Sequence, residues 1–293
     1  MASLSDRPPG PGNLPGIRRL DARDHTIAAV TVARPRRRLV ALSVSLALAF
    51  PAPARPDSLH VDVPVDLSIT IAAAGGAGIL RLLEGDLLPP TCRWCTPGSF
   101  DAWAHRTFLW SDPALAGTWS DALQVLVPVG VTAALVVPSL AGGASRRADE
   151  DALLVAEAYA ITLLGTEVAK VSAARLRPEA FDGSGPTNTT DSRVSFWSAH
   201  TSSTFAAATA AGTVALVRGY ESGPWILGLG LAGAATTGYL RMAADAHWAT
   251  DVLAGAAFGA AVGVAVPLLH RVSDGRVQLV PAPGGVALLG RWP

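Results

Sequence analysis

Three short runs in the second half of the chain carry the residue types that bind anions and move protons. The first is Lys170-Val-Ser-Ala-Ala-Arg-Leu-Arg177-Pro178. A spacing of seven is close to two helical turns, so Lys170 and Arg177 are expected to share a face and converge on one anion. Pro178 disfavours the α conformation at Arg177, so the helix should end there and leave the guanidinium at a rim, with Arg175 as the solvated member. The arginine fork matches phosphate oxygens, and lysine adds a compact charge. The second run is Ser195-Phe196-Trp197-Ser198-Ala199-His200-Thr201-Ser202, directly before an uncharged helix from Thr201 to Val217. Its hydroxyl residues cap that helix, the free N–H groups of the helix end form an anion site, and His200 stands where a general acid would serve a leaving oxygen. The third is Arg241-Met-Ala-Ala-Asp-Ala-His247-Trp-Ala-Thr-Asp251. His247 and Asp251, four apart, fall on one helical face, where the carboxylate accepts the ring N–H and leaves the other nitrogen free as a nucleophile. Arg241 reaches the same place only if the chain bends between Ala243 and Ala246, which makes Asp245 a turn or cap residue.

Taken singly, each run has a plainer reading: a solvated basic helix end, a capped helix with a histidine, a surface His–Asp pair. The elements that carry them decide otherwise. Uncharged stretches recur at Leu67–Leu80, Ala122–Ala141, Thr201–Val217, Ser222–Leu240 and Val252–Leu269, most of them near the ~20 residues that span a bilayer. A sixth segment, Ala152–Ala169, carries Glu157 and Glu167, which must face a protein interior. The expectation is an all-α, membrane-embedded bundle of six core helices over residues 57–270, with Leu67–Leu80 the weakest span. The tail, 271–293, holds a possible short β-hairpin of Arg276–Val280 and Val286–Arg291. In such a bundle the end of the third core helix, the start of the fourth and the turn after the fifth lie on one face. Three cations, two imidazoles and a helix N-terminus then surround one space, which suits phosphate.

In this order the residues resemble the three signature motifs of the type 2 phosphatidate phosphatase and vanadium haloperoxidase superfamily. That pattern is Lys, six residues, Arg-Pro; then Pro-Ser-Gly-His; then Ser-Arg, five residues, His, three residues, Asp. The first is complete in Lys170, Arg177 and Pro178, the third keeps Arg241, His247 and Asp251, and the second keeps Ser198 and His200. Trp197, Ala199 and Leu240 stand where the pattern has Pro, Gly and Ser, and the Ala199 methyl is expected to crowd an anion or to disfavour a positive φ. The resemblance implies that His247 attacks phosphorus to give a phosphohistidine, that Asp251 orients it and that His200 protonates the departing oxygen. It implies that Lys170, Arg177, Arg241, Ser198 and the N–H groups near Ala199 and His200 hold the phosphate, without metal or cofactor. The implied substrate is a phosphate monoester or diphosphate, foremost of a lipid, phosphatidate-like or isoprenoid. A vanadate-dependent haloperoxidase would use the same cradle, and a non-catalytic phospholipid-binding membrane protein is the third reading.

Composition bounds the rest. Half of the 293 residues are apolar and 16% charged, which fits a globular or membrane-embedded chain. With 23 basic and 23 acidic residues and no basic run interleaved with aromatics, nucleic acid is not an expected partner. Residues 1–38, rich in proline and scattered charge, read as a disordered extension. Arg36-Arg37-Arg38 followed by the uncharged run 39–54 reads as a signal peptide or a first anchor, and an export signal at that place implies a biological start downstream of Met1. Cys92 and Cys95, the only cysteines, are too few for a zinc site and are expected to pair locally in an exported protein. Trp103 and Trp110 are expected on one helical face, at a headgroup boundary or packed on the bundle, while His105 and His270 have no nameable partner. Arg146, Arg147, Arg271 and Arg276 put the face opposite the motifs in the cytoplasm and the catalytic face outside. A cleaved signal followed by six crossings reverses that assignment. Either 39–54 is not cleaved, or 67–80 does not span, or the bundle is a soluble or peripheral exported protein. An inner-membrane protein with an outward-facing site is the preferred expectation.

Overall fold

The computed structural model describes residues 59–271 and the strand segments 278–282 and 285–289, so the extension 1–38 and the segment 39–54 lie outside the described residues. Helix α1, Val63–Leu82, starts where Asp62 accepts the Val65 N–H and a proline occupies the first turn. It is followed by the single turn α2, Glu84–Leu87, and by α3, Ser99–Phe108. Helix α4, Pro113–Ala141, repeats the α1 start, with Asp112 accepting the Leu115 N–H at 3.0 Å. Then come α5, Ser145–Ala173, the short α6, Pro178–Asp182, and the central α7, Ala199–Val217. Helices α8, Gly223–Ala243, and α9, Ala249–Leu269, complete the bundle. The described residues thus hold nine α-helices where six were expected. The three extra ones are short and charged, and uncharged stretches could not reveal them. Strands β1, Gln278–Ala282, and β2, Gly285–Leu289, pair antiparallel with Gln278 opposite Leu289.

Helix α7 packs against α9, α8, α5 and α4 at once. A helix enclosed on every side has no polar face and must be thin. Ala206, Ala207, Ala208, Ala210 and Ala211 are accordingly fully buried along it. On α9, Gly255, Gly259 and Gly263 repeat every fourth residue and face α7 backbone. A Cβ at Gly259 would lie 2.0 Å from the Ser202 carbonyl oxygen, and one at Gly263 would lie 2.1 Å from Thr209 Oγ1. The small-residue stripe is therefore the device that brings α9 onto α7, and it fixes where His247 and Asp251 meet the start of α7.

The outer helices are built the opposite way. Ile71, Ile79, Val125, Leu126 and Val129 turn large apolar side chains outward. Helices α1, α4, α5 and α9 are long and apolar enough to cross a membrane, as expected of a membrane protein. Helix α1, expected to be the weakest span, is one of the four, whereas α7 and α8 are not. Glu157 and Glu167 of α5 face the interior, as their charge requires.

Candidate active site

Helix α5 stops at Ala174, which adopts the left-handed conformation with φ +41. The helix therefore ends before Arg177, and Lys170 and Arg177 do not share a helical face; they meet because the chain turns. Arg175 corrects the sequence reading more sharply. It is 1% exposed, not solvated, and its guanidinium binds Asp251 of α9, Asp101 of α3 at 2.6 Å and the Thr250 hydroxyl at 2.7 Å. It also lies 3.6 Å above the Trp94 ring. Arg175 is the interior counter-charge for two buried carboxylates, and Arg177, two residues on, is the one that reaches the cavity.

That cavity, of about 590 Å³, is lined by Lys170, Arg177, Ala199, His200, Arg241 and His247, so all three sequence runs do meet. Helix α1 closes its other side with Ala74, Ala77, Gly78 and Arg81. Ser198 and Asp251 are fully buried and do not line it. Ser198 instead caps α7, accepting the Thr201 N–H at 3.4 Å and the Thr201 hydroxyl at 3.0 Å. Ala199 is the first residue of α7 and has no positive φ, so its methyl carries none of the backbone strain expected of it.

Each cation in the cavity has a carboxylate beside it. Lys170 Nζ donates to Glu167 at 2.9 Å. Arg177 donates to the Asp191 carbonyl at 2.8 Å, to its carboxylate at 3.0 Å and to the Ala246 carbonyl at 3.1 Å. Asp121 of α4 lies 2.8 Å from His200 Nε2 and 3.4 Å from Arg241, which also donates to the Ser120 hydroxyl at 3.1 Å. Arg241 Nε is buried without a hydrogen-bond partner. An exposed carboxylate between an imidazole and a guanidinium occupies the kind of place a phosphate oxygen would take.

His247 sits in the bend between α8 and α9, which the expected turn provides: Asp245 has φ +61. The direct His247–Asp251 hydrogen bond expected from the spacing is not formed, because α9 begins only at Ala249 and the nearest approach is 3.8 Å. His247 Nδ1 instead donates to the Ser195 carbonyl at 2.7 Å. A carbonyl only accepts, so Nδ1 carries the proton and Nε2 holds the lone pair. Asp251 acts one step back, accepting from the Ser195 hydroxyl and from the Trp248 N–H at 2.9 Å while bound to Arg175. Burial, with Arg177, Arg241 and His200 adding positive charge, holds the His247 imidazole well below its usual pKa, so it is neutral.

The sequence reading passed over several of these groups. Arg81 pairs with Glu84 three residues on, which reads as an ordinary helix-surface pair, while Asp121 and Asp191 are single charges with no partner at helical spacing. His105 does have a partner, Asp245, at 2.7 Å, which with Ser184 on the other carboxylate oxygen pins the His247 bend. His270 lies 3.2 Å from Asp66. Trp103 and Trp110 do not share a helix, since α3 ends at Phe108; Trp103 is half exposed and Trp110 donates to the Tyr239 hydroxyl at 3.0 Å. Cys92 and Cys95 are joined as a disulfide.

Residues 151–273 match the PAP2 superfamily. Over 113 residues the chain is 39% identical to a lipid A 1-phosphatase of Porphyromonas gingivalis, covering 38% of this chain and 22% of that protein. The likeness thus spans about a fifth of the relative's length. No solved structure matches the chain. The matched stretch carries Lys170, Arg177, Ser198, His200, Arg241, His247 and Asp251 on α5 to α9, and over it the chain is similar to the PAP2 superfamily.

Proposed function

We propose that the protein is a lipid phosphate phosphatase working through a phosphohistidine on His247. The observation that carries this is the cavity itself. Lys170, Arg177, Arg241 and two imidazoles face a side of the cavity made by Ala74, Ala77, Gly78 and Arg81 of α1, a helix apolar enough to lie in a bilayer. A phosphate headgroup fits the first side and an acyl or isoprenoid chain the second.

His247 Nε2 attacks phosphorus while the bond from phosphorus to the leaving oxygen breaks, and His200 passes a proton to that oxygen. Water then cleaves the phosphorus–nitrogen bond, releasing inorganic phosphate and restoring the imidazole. Lys170, Arg177 and Arg241 stabilise the charge on the equatorial oxygens, and substrate phosphate displaces Asp121 from Arg241 and His200. Asp251 is a positioning residue: through Ser195 it holds the carbonyl that fixes the His247 tautomer. Ser198 serves as the helix cap for the Thr201 N–H, and the Ala199 and His200 N–H groups at the start of α7 are offered to the anion.

The site faces outward from an inner membrane in this reading. Arg146 and Arg147 at the start of α5 and Arg271 after α9 lie at the end away from the cavity, where positive charge is retained in the cytoplasm. Phosphate release from purified protein is the test, across phosphatidate, an isoprenoid diphosphate, lipid A and a soluble aryl phosphate, beside His247→Ala. Release from a lipid substrate, abolished in the variant, is expected. Turnover of the aryl ester alone would sink the lipid assignment, and vanadate-dependent bromide oxidation would replace it with the haloperoxidase.

A further inference from the structure

At the end of the bundle away from the cavity, three helices bring together one ligand-type side chain each. Asp66 lies in the first turn of α1, Glu157 in α5, and His270 caps the C-terminus of α9. Their ligand atoms lie within 4.8 Å of one another. Asp66 and Glu157 are each 4% exposed, yet Asp66 Oδ2 and Glu157 Oε2 have no hydrogen-bond partner. Two buried carboxylates with empty lone pairs are costly in apolar surroundings.

The histidine points the same way. His270 Nδ1 donates to the Val266 carbonyl at 2.8 Å, so in the neutral ring the Nε2 lone pair is what faces the carboxylates. Nε2 is 3.2 Å from Asp66 Oδ1 and 3.9 Å from Glu157 Oε2. Three acceptors pointing at one another repel unless a cation lies among them. A proton on His270 offsets one carboxylate and leaves the other; a divalent ion offsets both. The backbone fixes the ligand tautomer, as in metal-bound histidines, and the His60 N–H, donating to the His270 carbonyl at 2.8 Å, steadies the helix end.

We propose that Asp66, Glu157 and His270 form a structural site for a divalent cation of the zinc class, clamping α1 to α5 and α9. Ligand atoms bound at about 2.1 Å in tetrahedral geometry stand roughly 3.4 Å apart, close to the 3.2 and 3.9 Å from His270 Nε2 to the two carboxylates, which lie within 4.8 Å of each other. A fourth position is left for solvent. The other such cluster among the described residues, His105, Asp182 and Asp245, is weaker, because both Asp245 oxygens are already engaged.

The test uses tag-free full-length protein in detergent, stripped with chelator, returned to excess Zn²⁺ and desalted, with metal content and melting temperature measured. About one Zn²⁺ per chain and a melting temperature that climbs with free Zn²⁺ are expected. Glu157→Gln, which keeps the side-chain shape, and His270→Ala should each lose most of the bound metal and the thermal rise, while His105→Ala keeps both. Failure of the native protein to retain Zn²⁺, or equal retention by Glu157→Gln, overturns the proposal. Should His270→Ala not fold, the Glu157→Gln result decides alone.

Discussion

Replacing Arg175 with methionine removes a cation from a place where the sequence gives no hint that one is needed. Arg175, Asp101 and Asp251 are 1%, 2% and 0% exposed, so solvent cannot take over the lost charge. Breaking a buried pair while leaving its partner charged costs about 3–5 kcal/mol. Two carboxylates share this guanidinium, and the stacking on Trp94 at 3.6 Å is lost as well, so the upper part of that range applies. For a domain of this size that is a fall of roughly 10 °C in melting temperature. Thermal unfolding in detergent measures it, beside the double variant Arg175→Met/Asp101→Asn. Neutralising one orphaned carboxylate should recover roughly 1 kcal/mol, so the two changes are not additive. A solvated arginine would cost less than ~0.5 kcal/mol. A loss that small for Arg175→Met, or strict additivity in the double variant, would refute the buried-triad reasoning.

Gly259→Ala is expected to lower stability by about 1–3 kcal/mol or more, since its methyl meets the Ser202 carbonyl, whereas Gly75→Ala, with nothing within 4 Å, should be neutral or stabilising; paired melting curves compare them. His247 has a depressed pKa, so the folded protein resists its protonation while the unfolded chain accepts a proton below ~6.5. Stability from this group is therefore lost as pH falls below that value, and the acid limb of kcat/KM set by His247 should lie below 6.5; a limb above it would contradict the assignment. His105 behaves oppositely: its hydrogen bond to Asp245 raises its pKa, so its stabilisation is full below the unfolded value and lost as pH rises through the folded one. His105→Gln should thus differ most from the native protein in acid melting experiments and converge with it in alkali. Asp121→Asn should lower KM by up to about fivefold, because this exposed carboxylate competes with phosphate for Arg241 and His200; steady-state kinetics read it directly.

The long helices and the meeting of the three runs were legible because both follow from local chemistry. Uncharged stretches mark long helices, and alternating helix direction returns each run to one face. What sequence could not show was which of two neighbouring arginines enters the core and which reaches the cavity. Arg175 and Arg177 differ in role only because Ala174 ends α5 in a left-handed turn, and alanine carries no signal for that conformation. The His247–Asp251 spacing misled for a related reason: a four-residue separation implies a shared face only inside one helix, and His247 precedes α9. Asp101 and Asp121 escaped notice because their partners lie more than seventy positions away. The glycine repeat on α9 was visible as composition, but its purpose appears only once α7 lies against it.

The central claim is a covalent one and is tested by trapping the intermediate. Native protein mixed with a radiolabelled lipid phosphate and quenched in alkali within the first turnovers should retain label that alkali spares and acid removes. Peptide mapping should place it on His247, with none in His247→Ala and accumulation in a His200 variant supplied with an activated leaving group. Label on another residue, or full turnover by His247→Ala, would contradict the account.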